Sequence, residues 1–223
     1  VNVLYGSGVV LDNPFILFFY NYQTYTKSIV EMINTVHQHE GYLAGRLLIA
    51  LPAMLDPRFS QSVIYLCSHN EHGAMGLIVN QVMEEVNFLD MLEAMHIKTG
   101  HSQSKRQVHF GGPVEAERGF VLHSADYSCE DTLVIKGGVN LTATIDILRL
   151  IASGCGPKNS LFALGYAGWG PGQLDAEIQG NSWMFGVPET EILFGEKHSQ
   201  KWSLATSRAG IDLSTLSSEI GSA

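Results

Sequence analysis

Residues 165–175 read Gly-Tyr-Ala-Gly-Trp-Gly-Pro-Gly-Gln-Leu-Asp, and the fold turns on how they are read. An apolar run, residues 161–164, leads in, and a polar, helix-compatible run, residues 173–179, leads out. Gly165, Gly168, Gly170 and Gly172 leave few Cβ atoms to hold off other chain or a ligand, and glycine tolerates positive φ. Tyr166 and Trp169 stand among them. Pro171 suits the first turn of a helix, where its missing N–H costs nothing. The stretch predicts a buried strand, a tight glycine turn and a helix start.

Upstream, residues 62–67 (Ser-Val-Ile-Tyr-Leu-Cys) are β-branched and aromatic and read as a strand buried on both faces. A polar loop, residues 68–73, separates them from a second strand at 74–79, so the two form a hairpin or near neighbours. Residues 47–51 are a further apolar run, closed by Pro52, and Asp56-Pro57 marks a turn. Asn87 is a natural N-cap for a helix to about His96, with Phe88, Met91, Leu92 and Met95 on one face. Residues 97–106 read as a loop. Short strands follow at 108–110, 119–123 and 132–135, the first closed by Gly111-Gly112-Pro113. Leu141, Ile145, Leu148 and Ala152 share a helical face that stops at Gly154. Residues 181–187 and 190–194 read as strands, and 198–209 as a last helix. The tail after Leu216 is small and polar. Strands and helices mix without strict alternation, which favours α+β over a doubly wound sheet.

Residues 1–40 read differently from the rest. They offer a helix at 26–37 but no signal-peptide pattern, and the chain begins with Val1 rather than Met. They are expected to be an extension, disordered or a product of the choice of start site, ahead of a single domain over 41–223.

With 45% apolar and 16% charged residues, the 223-residue chain is a folded, globular one. A net charge of −9 argues against broad phosphate-backbone binding, and the 13 Lys and Arg are scattered. Cys67, Cys129 and Cys155 make no C-x-x-C pair, so neither a disulfide framework nor a zinc ribbon is expected, and free thiols fit a reducing compartment. No apolar run reaches the length of a membrane-spanning helix.

Three blocks carry a resemblance. The first runs from Asp56-Pro57-Arg58-Phe59 through residues 62–70 to residues 73–80. The second is Gly111-Gly112-Pro113-Val114 with residues 118–124, and the third is 165–175 with Asn181 and Trp183. In that order they resemble the AlgH/YqgE family of bacterial proteins, over roughly residues 41–215. Gln81 stands where members often carry proline. The resemblance implies an α+β fold with a bifurcated, partly barrel-like mixed sheet surrounded by helices, in a cytosolic protein. The family is described as a transcriptional regulator through a link to exopolysaccharide gene control. That link supplies no mechanism, and no helix-turn-helix is evident here.

Several residues invite chemical roles. Cys67 and His69, at i and i+2 near a strand end, would share a face as a nucleophile pair. Against this, Cys67 reads as a core thiol. His69, His72, His109 and His123 could ligate a metal, but the usual anchoring spacings are missing and no metal or other cofactor is expected. The glycine stretch could take an anion at the helix start near Pro171, although it matches neither a P-loop nor a dinucleotide fingerprint. Otherwise it packs closely against Gly111-Gly112-Pro113. Glu84-Glu85, Glu130-Asp131, Glu115 and Glu117 read as solvated. The expectation is a binding protein without catalytic activity, for an unknown protein or small-molecule partner, with direct DNA binding the weakest class. Its candidate residues are His69, Asn70, Gly111, Gly112, Pro113, Gly168, Trp169 and Gly170. The alternative is an enzyme drawing on His69, Asn70 and His123.

Overall fold

The computed structural model describes residues 42–98 and 106–211. The expected extension over residues 1–40, its helix at 26–37 and the tail after Leu216 lie outside the described residues.

The described residues form ten strands: β1 Leu47–Ala50, β2 Val63–Asn70, β3 Gly73–Ile78, β4 Val82–Asn87, β5 Gln107–Phe110, β6 Val114–Ser124, β7 Thr132–Ile135, β8 Val139–Thr142, β9 Ser160–Trp169 and β10 Trp183–Gly186. The helices are α1 Phe88–Ala94, α2 Ile145–Ser153, α3 Gln173–Gln179, α4 Thr190–Phe194 and α5 Lys201–Arg208. The fold is α+β. The sheet runs β10-β1-β2-β3-β9-β6-β8-β7, with β5 joined to β9 and β4 to β5.

β9 is the axis. β6 follows it antiparallel along one edge. On the other edge β5 runs parallel to residues 162–164, and β3 antiparallel to residues 167–169. The ends of β3 and β5 are tied by the bond from the Ile78 N–H to the Gly111 carbonyl. The sheet therefore forks along β9.

To pass from β5 to β6 the chain must cross β9, and it does so at Gly111-Gly112-Pro113. A Cβ on Gly111 would lie 2.2 Å from the Gly165 carbonyl oxygen, and one on Gly112 2.2 Å from the Tyr166 carbonyl carbon. The two glycine blocks are thus a close backbone crossing. Gly165 has φ +70, and the alternation of β9 slips by one there. Leu161 and Ala163 share the face that Tyr166 occupies after the slip, while Phe162 and Leu164 precede Ala167 and Trp169 on the other.

Three apolar clusters follow. One face of the sheet packs under α4 and α5 through Tyr65, Leu77, Phe120, Ile192 and Leu193. On the other face α1 and α2 cover Val108, Val121 and Phe162, while α3 covers Leu48, Ile64 and Trp183.

Local signals hold where the sequence chemistry is strong. Asn87 caps α1 by accepting from the Leu89 N–H at 2.8 Å, and α2 stops at Gly154 with φ +80. Gln81 donates from its side-chain amide to the Arg58 carbonyl, and the sheet continues past it. Other expectations are corrected. β9 continues through Gly165 and Gly168 to Trp169, so the turn comes later, and α3 begins at Gln173 after Gly172 rather than at Pro171. Leu141 lies in β8, not in the helix. Residues 190–194 form a helix, because Ile192 and Leu193 need to reach the same core cluster. The expected loop at 68–73 shrinks to Glu71-His72 between two strands, and β4 and the start of β6 are strands with polar sequences.

Candidate functional site

Beyond the slip at Gly165, one sheet face is left open. Ser68 and Asn70 of β2, His72 of the turn, Gly73 to Met75 of β3, Tyr166, Gly168 and Trp169 of β9 and Val114 of β6 frame a cleft of about 290 Å³. Gly168 makes the hollow: its missing Cβ would sit 3.2 Å from the Tyr166 ring and 3.6 Å from Val114. Gly168 has no positive φ, so its backbone tolerates a side chain.

β2 reaches the cleft through a bulge. Leu66 pairs with Gly76 and Ser68 with Met75, so Cys67 is the extra residue. Cys67 and Ser68 then lie on one face and His69 on the other. The Cys67–His69 pair therefore does not form. Cys67 joins the core, its Sγ 3.6 Å from the Tyr65 carbonyl, and burial pushes the thiol well above its usual range. His69 faces away from the cleft: its Nδ1 accepts from the Leu43 N–H, and its Nε2 lies 3.7 Å from Asp175.

The polar groups at the cleft are the Ser68 hydroxyl, the Asn70 amide, the Tyr166 hydroxyl and the exposed His72 imidazole, 3.6 Å from Glu71. Asn70 Oδ1 accepts from the His72 N–H at 2.8 Å. The Tyr166 hydroxyl donates to Glu115, which also receives Arg118 at 3.0 Å. Burial first, and Glu115 second, hold the Tyr166 hydroxyl above its ordinary pKa, so it stays protonated, with its hydrogen directed to Glu115. Trp169 borders the cleft at the end of β9, but its indole lies on the opposite sheet face, in the cluster under α3. Its indole N–H donates to Glu177 Oε2 at 2.8 Å, and so does that of Trp183. One α3 carboxylate thereby anchors both indoles.

Of the expected site residues, Asn70, Gly168 and Trp169 meet at the cleft. Gly111, Gly112 and Pro113 lie at the crossing beside it, and their block contributes Val114. The Gly170 N–H is already taken by Gln173 Oε1 at 3.0 Å, so the expected anion position is filled from within the chain. Tyr166, Ser68, Met75 and Glu177 were not among the expected residues. Reading the strand on to Trp169 would have found Tyr166 and Gly168 as face-sharing neighbours.

The remaining histidines do not assemble. His123 Nδ1–H donates to the Ser124 carbonyl and its Nε2 accepts from Thr142, in the core. It pairs with Ser160, at the opposite end of β9 from the cleft, about 26 Å from Gly168 at the rise of a strand. The His69, Asn70 and His123 constellation is therefore dispersed. His109 donates from Nδ1 to the Phe162 carbonyl, so its Nε2 accepts the Nδ1–H of His198 at 3.2 Å. Burial, with His198 and Lys201 nearby, pushes His109 down to about 3. Lys201 is buried, donates to the Val79 and Leu193 carbonyls, and is pushed down to about 8 by burial. Among the described residues no group of three or more His, Cys, Asp or Glu is placed to hold a metal ion.

The described residues thus form a forked α+β sheet with an open cleft bordered by Asn70, His72, Tyr166 and Gly168. The comparisons give the family. The AlgH-like family matches residues 47–214, and the chain belongs to it. A UPF0301 protein of Rhodospirillum rubrum is 46% identical over 192 residues, covering 86% of this chain and all of that one. A UPF0301 protein of Bradyrhizobium diazoefficiens is 50% identical over 191 residues, covering 82% of this chain and 89% of its own. The solution structure of the AlgH protein from Pseudomonas aeruginosa is 38% identical with a TM-score of 0.67, covering 84% of this chain and 100% of that one. Among the described residues no helix is long and apolar enough to cross a membrane.

Proposed function

We propose that the protein acts by binding, without catalysis, and that its ligand or partner sits in the cleft over Gly168. The observation that carries this is the hollow itself: the sheet face bordered by Met75, Val114 and Tyr166 is open where Gly168 lacks a side chain. At about 290 Å³ it is at the small end of ligand sites, fitting one small molecule or a few side chains of a partner. Residues of all three sequence blocks border it, which supports Asn70, Gly168 and Trp169 as contact residues and Gly111, Gly112 and Pro113 as their scaffold. Any regulatory effect follows from occupancy of this cleft. Three unpaired cysteines support a cytosolic setting, and the net charge of −9 weighs against a direct grip on DNA.

The test is a thermal-shift screen of the full chain against nucleotides, sugar phosphates, metals and short peptides, repeated with Gly168→Val. A ligand at about 100 times its Kd adds roughly 2.7 kcal/mol of stability. A shift present in the native chain and lost in a folded Gly168→Val variant supports the cleft. Shifts that survive the substitution, or a blank screen, refute it.

A further inference from the structure

We propose that the occupant of this cleft is an extended peptide segment, added as a strand to a free edge of β9. The proposal rests on the cleft being a binding site. β9 has a neighbour on each edge as far as Tyr166, where β6 ends its pairing at Val114. Beyond that, residues 167–169 pair only with β3 among the described residues. The Trp169 carbonyl oxygen lies 2.2 Å from where a Gly73 Cβ would be, on the β3 side. Backbone groups alternate in direction along a strand, so the Gly168 N–H and C=O belong to the other, unpaired edge. Gly168 is accordingly exposed, in the central strand of a ten-stranded sheet.

An unpaired N–H and C=O at fixed strand spacing are matched best by another extended backbone. The surroundings set its side chains. Alternate residues of an added strand point onto the cleft face, where Met75, Val114 and the Tyr166 ring await an apolar or aromatic side chain. A small molecule, or another part of this chain, are the competing occupants.

The test uses the full chain and a pool of N-acetylated, C-amidated hexapeptides with aliphatic or aromatic residues at alternate positions, read by NMR. In the free protein the Gly168 amide exchanges rapidly with solvent. Bound hexapeptide slows it and shifts the Val114 and Tyr166 resonances. N-methylation of alternate peptide nitrogens weakens binding by about tenfold or more, the effect of one lost hydrogen bond. Slow exchange at Gly168 in the free chain shows the edge already paired and overturns the proposal. So does binding indifferent to N-methylation, or no binding across the pool. If small molecules bind and are lost on Gly168→Val while the peptides fail, the cleft stands and strand addition falls. If both fail, both readings fall.

Discussion

Removing the Glu177 carboxylate should loosen the docking of α3 on the sheet face opposite the cleft. Glu177 Oε2 accepts from the Trp169 and Trp183 indoles at 2.8 Å each, and Oε1 accepts from Gln173 at 2.9 Å. Trp169 is 6% and Trp183 3% exposed, so neither N–H can turn to bulk water once its acceptor is gone. A buried donor left unpaired costs about 1–3 kcal/mol. Two of them in Glu177→Ala give about 3 kcal/mol, allowing for partial relaxation. For a domain of this size that lowers Tm by about 6–12 °C. Urea unfolding followed by tryptophan fluorescence reads the loss directly, since both affected indoles report. Glu177→Gln keeps a neutral acceptor and should lose about half as much, because bonds to a charged group are the stronger ones. In a Trp183→Phe background Glu177→Ala should cost about 1 kcal/mol less, one orphaned donor having been removed. If Glu177→Ala unfolds within about 2 °C of the native chain, the indoles are not held by this carboxylate and the account of α3 docking is wrong.

Other outcomes follow from the same geometry. Gly112→Ala places a Cβ against the Tyr166–Ala167 peptide at φ +150 and should yield little folded protein, whereas Gly168→Ala meets only a movable ring edge and should fold with a Tm within a few degrees of the native chain; expression and circular dichroism separate them. His109 is neutral when folded down to about 3 but titrates near 6.5 when unfolded. Its contribution is therefore complete above pH 6.5 and is lost as pH falls toward 3, roughly 5 kcal/mol in all. Urea midpoints of the native chain and His109→Gln at pH 7, 5 and 4 should converge as acid is added. Lys201 has the opposite pH window: folded at about 8 against 10.5 unfolded, it makes stability rise between those pH values. Lys201→Met should flatten that rise, and equal slopes in both proteins would show the amine is not desolvated.

Much of the fold was legible because its punctuation is chemical. Asn87, Gly154 and the β-branched run of β2 act within a few residues, and the structure keeps all three. What escaped depends on distant partners. Gly165 and Gly168 read as a turn, yet they lie inside a strand; the chain that needs the space at Gly165 arrives from Gly112 some fifty residues upstream. β4 sets Met83 and Val86 against the core around an exposed Glu84-Glu85, and the start of β6 is exposed and charged, so neither shows a clean strand alternation. The bulge at Cys67 reverses the face of His69, and one inserted residue leaves no mark on spacing. The cleft was half legible. Asn70 and Trp169 stand out as residues, but Tyr166 joins them only after the slip at Gly165 is known.

The crossing over β9 also constrains the order in which the molecule can be made. His109 and its partner Phe162 are 53 residues apart, and β5 and β6 flank a strand that follows both of them. On a ribosome adding about 5–20 residues per second, β5 and β6 emerge several seconds before the strand they must flank. In that interval their inner edges have no partner, and closing the long loop to β9 is slow. Nascent chains halted before Ser160 should be held by chaperones or degraded, and release past Trp169 should bring protease resistance to both halves of the sheet in one step.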